Sequence, residues 1–297
     1  MFYTIFTPTY NRSSLLKRVF ESLKKQTFKD FEWLIINDSS SDDTEEVVAE
    51  FIQENPFPII YKKQEHGGKM RAMNKAGDLA RGEWIMIHDD DDFMPENALE
   101  ITAKYIEIAN KIPDCDELSG MKVFTNGKNV RAYIPGEYVI TDFAERRKKG
   151  WIGDEGIFYR TSVFKNCKAT EFEGEYDSHF SIPAFKMCMQ GSKMLMFNDV
   201  VYVGDYLEDG LSSDTQRGAY LLRIFNGYTE GVNLELQLDV GLKRKIEVIG
   251  KYTLVARQKG LSYSEIHKTI NRSIIICYIL EKIAKLYFFL SKIRKPH

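Results

Sequence analysis

Four aspartates in a row, Asp89 to Asp92, follow the apolar stretch Trp84-Ile-Met-Ile of this 297-residue chain. Carboxylates held this close repel one another, and the repulsion is relieved by protonation, by solvent or by a cation. Hard divalent ions take carboxylate oxygens and keep positions open for phosphate oxygens. The plainer alternative is a solvated acidic turn that caps the helix opening near Pro95-Glu96. Asp38 ends a second apolar stretch, Trp33-Leu-Ile-Ile-Asn. A carboxylate fixed there can accept a hydrogen bond from a nucleobase N–H, besides forming a local Asx turn. Tyr10, in Thr7-Pro-Thr-Tyr-Asn-Arg, offers a ring that stacks on a base or packs in the core. Gly67-Gly68 presents backbone N–H groups beside Lys69 and Arg71, an arrangement that attracts phosphate.

These residues depend on the elements that carry them. Phe2 to Thr7 reads as a buried strand, and Ser13 or Ser14 can cap a helix running to about Gln26. That helix carries Leu15, Leu16, Val19, Phe20 and Leu23 on one side. A strand from Phe31 to Asn37, a helix from Thr44 to Glu54 and a strand from Ile59 to Lys62 follow. A helix then opens at His66-Gly-Gly and ends near Gly82, and Glu83 to His88 is the fourth strand. Such alternation predicts an α/β fold with a mostly parallel central sheet flanked by helices. Right-handed crossovers bring the loops after the strands to one edge, where open sheets bind ligands. The polar clusters after strands one, two and four all fall on that edge, which favours the cation over the solvated turn. After a helix from Glu96 to Lys111 the pattern is irregular, with Trp151-Ile-Gly-Asp-Glu-Gly as a marked turn, and from about Gln216 it is helical.

At 43% hydrophobic and 28% charged, the chain can bury a full core. A net charge of -2 argues against nucleic acid bound through bulk positive charge. The charge is uneven. From Lys243 to His297 thirteen basic residues face three acidic ones, so an acidic body carries a basic tail. Cys115, Cys167, Cys188 and Cys277 stand apart with no C-x-x-C pair, as reduced thiols of a cytosolic protein do. The amino terminus lacks the basic start and cleavage site of a signal peptide. No uncharged run reaches the ~20 residues that span a bilayer. A cytoplasmic protein, or one peripheral at the inner face of a membrane, is the expectation.

Five pieces occur in order over about residues 1 to 100: Thr7-Pro-Thr-Tyr-Asn-Arg, Asn37-Asp-Ser-Ser-Ser-Asp-Asp-Thr, Gly67-Gly-Lys-Met-Arg-Ala-Met-Asn, Ala80-Arg-Gly-Glu-Trp-Ile and the Asp-x-Asp run. Together they resemble the inverting glycosyltransferases of family 2, which have a GT-A fold. The resemblance implies a nucleoside-diphosphate sugar, usually of uridine, as donor, with Mn²⁺ or Mg²⁺. It also implies a hydroxyl acceptor on a saccharide or lipid-linked saccharide, in surface polysaccharide or glycoconjugate synthesis. Carried over, Thr7, Pro8, Tyr10 and Asp38 would hold the base, with Arg71 also in the donor site. Asp89 and Asp90 would reach the ribose or the metal, and Asp91 would bind the metal. Counting back from Pro95, rather than forward from Gly82, moves the metal ligand to Asp90.

In-line attack that inverts the anomeric carbon needs a carboxylate on the face away from the leaving diphosphate, to take the acceptor's proton. The Glu-Asp pair usual in the family is not at the corresponding place. Glu171-Phe-Glu-Gly-Glu-Tyr-Asp-Ser-His stands there, with Asp177 nearest and Glu175 and His179 as rivals. Glu208-Asp209 comes later and reads as part of a loop closing over diphosphate and acceptor. The turn Trp151 to Glu155 either shapes the acceptor pocket or fills a corner of the core. Residues 1–215 form the catalytic domain, 1–100 for the donor and 101–215 for the acceptor, and 216–297 a helical basic region. Its last helix, Ser273 to Arg294, lies on an anionic membrane or packs on the body or a second copy. Two rival functions stand beside this reading. One is a non-catalytic nucleotide-sugar-binding module that has lost its base. The other is a sugar nucleotidyltransferase, which needs a glycine-rich loop where this chain has Pro8-Thr-Tyr-Asn-Arg.

Overall fold

The computed structural model describes residues 1–204 and 214–293. Glu208, Asp209 and the residues from Arg294 onward lie outside the described residues. The first half alternates as its hydrophobic periodicity dictates: β1 (Tyr3–Thr9), α1 (Ser13–Lys24), β2 (Phe31–Asn37), α2 (Thr44–Glu54), β3 (Ile59–Lys63), α3 (Gly68–Leu79) and β4 (Trp84–Ile87). These four strands run parallel in the order β3-β2-β1-β4. The order therefore reverses beside β1, which makes the crevice at the ends of β1 and β4 the switch point where open sheets take ligands. Asn37, Thr9 and Ile87 end their strands at that edge, and Asp38, Tyr10 and the acidic run begin there.

The second half extends the same sheet. It contains α4 (Ala98–Ala109), β5 (Cys115–Phe124), β6 (Tyr138–Thr141), α5 (Phe143–Lys149), β7 (Glu155–Arg160), α6 (Thr161–Phe164), α7 (Ile182–Met189) and β8 (Lys193–Gly204). β7 lies antiparallel between β4 and β5, β8 runs parallel to β5, and β6 closes the edge antiparallel to β8. The eight-stranded sheet is thus mostly parallel, the arrangement expected from the strand–helix alternation. Among the described residues five helices follow: α8 (Asp214–Arg223), α9 (Phe225–Gln237), α10 (Leu242–Gln258), α11 (Tyr263–Ile270) and α12 (Ile274–Ile293).

Alternation along the strands divides the core. Tyr3, Ile5, Trp33 and Ile35 pack under α1, α2 and α4, whereas Phe6, Leu34 and Ile36 meet Met70 and Met73 of α3. Leu221, Phe225, Tyr228, Tyr252, Val255 and Cys277 form a separate cluster among the last helices. Glu32 is fully buried in β2, yet Thr4 Oγ1 donates to it at 2.7 Å and Arg81 Nε at 2.7 Å. Gly82 is needed where the chain returns from α3 toward β4, because a Cβ there would stand 2.4 Å from the backbone of Tyr3 and Thr4. The start of α1 corrects the expected serine cap. Ser13 is already helical, and its N–H donates to Asp42 Oδ2 at 3.0 Å, so the loop after β2 caps α1. All four cysteines are free. Among the described residues no helix is long and apolar enough to cross a membrane.

Candidate active site

The acidic run turns its side chains in different directions, and each finds a cation. Asp90 faces inward, is 6% exposed, and accepts from Thr9 Oγ1 at 2.9 Å and Arg12 Nη1 at 3.1 Å. Burial pushes its pKa up to about 6, against the opposing charge of Arg12. Asp91 is half-buried and accepts from the same Arg12 Nη1 at 3.1 Å. Asp89, also half-buried, pairs with Lys69, while its N–H donates to Tyr202 Oη at 2.7 Å. Burial raises the Asp89 carboxyl, but the Lys69 charge and hydrogen bond outweigh it and leave the pKa below its ordinary value. Asp92 is buried and accepts from Lys122 Nζ at 2.7 Å, and the same ammonium reaches Asp154 at 2.6 Å. Burial lifts the Asp92 pKa to about 7 even with Lys122 beside it.

One oxygen from each of Asp89, Asp91 and Asp92 lies within 4.8 Å of the other two. This all-oxygen set suits Mg²⁺ or Mn²⁺. Asp89 and Asp91 are the members open to solvent. Asp92 is wedged against Gly204, where an added Cβ would come within 1.7 Å of its Oδ1. Asp90, the alternative register for a metal ligand, points away toward Thr9.

Asp38 is buried, and its carboxylate organises the loop ahead of α3. Oδ1 accepts from the Gly67 N–H and from Gln64 Nε2, each at 2.8 Å. Oδ2 accepts from the Gly68 N–H at 2.8 Å and lies 2.9 Å from His66 Nδ1. The two glycine N–H groups, read from sequence as a phosphate cradle, are therefore committed to Asp38. Tyr10 is 45% exposed and stacks on His66. Pro8 lies beside it, half-buried in β1. Thr7 departs from expectation: it is fully buried, and its Oγ1 accepts the Trp33 indole N–H at 3.0 Å, so its side chain holds β1 to β2. Arg71 does not join the aspartates either. It donates to Glu171 at 3.1 Å on the wall of a cavity of about 530 Å³, also lined by Lys63, Gln64, Asn74 and Lys168.

Asp177 reaches the same edge from 107 positions further along the chain than Met70, whose N–H donates to its Oδ1 at 3.0 Å. It thereby caps α3 from outside, while Tyr220 Oη donates to its Oδ2 at 2.7 Å. The rivals are placed otherwise. Glu175 accepts the N–H groups of Asn226 at 2.7 Å and Gly227 at 2.9 Å, capping α9. The ring of His179 packs among Phe180, Phe185 and Tyr228, and burial pushes its pKa down to about 4. In the turn after Trp151, Asp154 faces Lys122, while Glu155 is buried between Arg131 at 2.8 Å and Arg146 at 2.7 Å.

Arg12, Lys122, Tyr202 and Tyr220 complete the site without having been singled out by spacing, whereas Lys69, noted in the sequence beside Gly67-Gly68 as a phosphate-attracting cation, pairs with Asp89. Lys122 left one signal. A lysine in the buried run Leu118-Ser-Gly-Met-Lys-Val requires a carboxylate partner.

The profile of Glycosyl transferase family 2 matches residues 4–167. Glycosyltransferase GlyG of Streptococcus pneumoniae is 25% identical over 216 residues, covering 67% of this chain and 69% of GlyG. With several other curated relatives the match spans 47% of the relative's length, or as little as 12%. Among solved structures, S. aureus TarS 1–349 in complex with UDP-GlcNAc has a TM-score of 0.64 at 19% identity, covering 96% of this chain and 92% of that one. Mannosyltransferase PcManGT from Pyrobaculum calidifontis, in complex with GDP-Man and Mn²⁺, has a TM-score of 0.58 at 17% identity, covering 96% and 80%. Likeness at these identities shows a GT-A fold.

Proposed function

This chain belongs to glycosyl transferase family 2 and is a glycosyltransferase, and from that premise we propose that it is metal-dependent and inverting, with a UDP-sugar as donor. The acceptor is a hydroxyl of a saccharide or lipid-linked saccharide, in surface polysaccharide or glycoconjugate synthesis. The observation that carries the reading is that Asp89 and Asp91 share the sheet edge beside β1 with Asp38 and Tyr10. The uridine complex of TarS and the Mn²⁺ complex of PcManGT support the choice of donor and ion by likeness of fold.

Tyr10 stacks on the base, with Pro8 beneath it, and Asp38 receives a base N–H. Asp91, with Asp89, holds the divalent ion, which when bound supplies Lewis-acid stabilisation of the leaving diphosphate. Arg12 and Lys69 neutralise the remaining carboxylate charge and keep the run in place. Asp177 takes the acceptor's proton as the acceptor oxygen forms its bond to the anomeric carbon. The bond from that carbon to the diphosphate oxygen breaks, and its electron pair leaves with the diphosphate. The Met70 N–H and the Tyr220 hydroxyl orient the base for this step. Residues 1–100 serve the donor and 101–215 the acceptor, and the helical, basic region 216–297 contributes Tyr220 beside the base. The protein acts in the cytoplasm, with its basic end against the inner face of the membrane, or against a second copy.

Calorimetric titration of UDP with and without Mn²⁺ tests this reading. Binding should strengthen with the ion, and Asp91→Asn should remove that increment while metal-free binding persists. Equal UDP affinity with and without the ion would refute the metal assignment.

A further inference from the structure

The imidazole of His66 lies between two exposed tyrosine rings. Its centroid is 4.6 Å from that of Tyr10, with the planes 29° apart, and 5.1 Å from that of Tyr176, with the planes 25° apart. Three separate segments build this stack: the end of β1, the loop before α3, and the stretch leading to Asp177. The His66 side chain is 43% exposed, so the core does not lock it. Both tyrosines are wet as well, at 45% and 61%. Two phenol faces that enclose a single ring define a slot one aromatic ring thick.

The edge of that ring is engaged too, since Nδ1 lies 2.9 Å from Asp38 Oδ2. A carboxylate offers about four acceptor positions; Gln64, Gly67 and Gly68 take three, and His66 Nδ1, which also lies 3.3 Å from the Asp38 main-chain carbonyl oxygen, crowds the fourth. The glycine N–H groups are backbone and cannot leave without undoing the start of α3. A further N–H can reach Asp38 only when a side chain departs, and His66 is the one that also fills the slot.

The geometry points to His66 as an internal stand-in for the donor's nucleobase. Resting on the nucleotide-binding reading above, the inference is that the imidazole occupies the base slot in the ligand-free protein. It swings out when the base enters, and Tyr176 then becomes the second wall, opposite Tyr10. A pyrimidine presents what the imidazole presents: a flat ring for both phenols and an N–H for Asp38. The exchange swaps like for like, so apparent affinity is lowered by the fraction of time His66 spends inside. Tyr176 directly precedes Asp177, so closing the second wall on the base also acts on the segment that carries the proposed proton acceptor.

Titration of the full chain with UDP and with free uridine, using wild type, His66→Ala, Tyr176→Ala and Tyr10→Ala, tests the assignment. Thermal melts confirm that each variant is folded. His66→Ala should tighten UDP binding by roughly three- to tenfold. Tyr176→Ala and Tyr10→Ala should each weaken it by about tenfold, and uridine should follow the same order. The His66 ring resonances should shift toward those of a solvated imidazole as UDP is added. Weaker binding by His66→Ala would make His66 a ligand for the base and overturn the inference, as would unchanged affinity in Tyr176→Ala. Failure of wild type and His66→Ala alike to bind UDP would overturn the uridine-nucleotide reading and this inference with it.

Discussion

Glutamine in place of Glu117 should stabilise the protein at neutral pH and change it little in acid. Glu117 sits in β5 with no exposed surface, and neither carboxylate oxygen has a hydrogen-bond partner. Burial pushes its pKa from 4.5 up to about 8, and the charge of Arg146 offsets only part of this. The folded chain therefore keeps a proton that the unfolded chain has already released. Because the unfolded state binds fewer protons in that window, stability falls as pH rises from 4.5 toward about 8. Each pKa unit is worth about 1.4 kcal/mol, so the penalty is below about 1 kcal/mol at pH 5 and about 3 kcal/mol at pH 7. Glutamine keeps nearly the same shape and stays neutral throughout. Urea unfolding of both proteins at the two pH values measures the difference. The advantage of Glu117→Gln should grow by about 2 kcal/mol between pH 5 and pH 7, a large share of a total stability of about 5–15 kcal/mol. Parallel stability-versus-pH curves for the two proteins would refute the reasoning, because they would mean that Glu117 is ionised, or equally solvated, in both states.

Lys122→Met leaves Asp92 buried without its cation and should cost about 3 kcal/mol in denaturant unfolding, with Asp92→Asn in the same chain recovering part of the loss. If the double variant were no more stable than Lys122→Met, the pair would not be the source of the cost. Asp177→Asn should lower turnover by roughly 10²–10⁴-fold while UDP affinity in calorimetry stays within about twofold. Retained turnover would remove Asp177 from the proton transfer. Gly68→Ala should destabilise the protein by about 2 kcal/mol or more and weaken UDP binding. Gly68 has φ +80°, and an added Cβ would sit 1.5 Å from the Tyr176 carbonyl oxygen. A melt unchanged from wild type would show that the two segments are not in contact.

Much of the first hundred residues was legible because its signals are local. β2 and α2 begin and end where their apolar patterns do, since a strand buried on both faces and a helix with an apolar stripe need only neighbouring residues to declare themselves. The acidic run at the end of β4 and Asp38 at the end of β2 were placed on one edge by the handedness of parallel crossovers. That inference needs the order of elements but no knowledge of contacts. The start of α1 was misread because its cap arrives from Asp42, on another loop.

The site itself was legible only in part. Residue type and order along the chain settled the α/β architecture, the edge that carries the candidate site and the concentration of negative charge there. Only the folded chain decided that Asp90 turns inward while Asp89 and Asp91 stay open, that Asp38 spends its acceptors on its own loop, and that Thr7 points into the core. It alone paired Lys122 with Asp92 and brought Asp177 to the start of α3. The physical reason is one of range. Periodicity records which face of an element is buried, whereas a hydrogen bond or ion pair between distant segments depends on side-chain direction and spacing of about 3 Å, which no local pattern encodes.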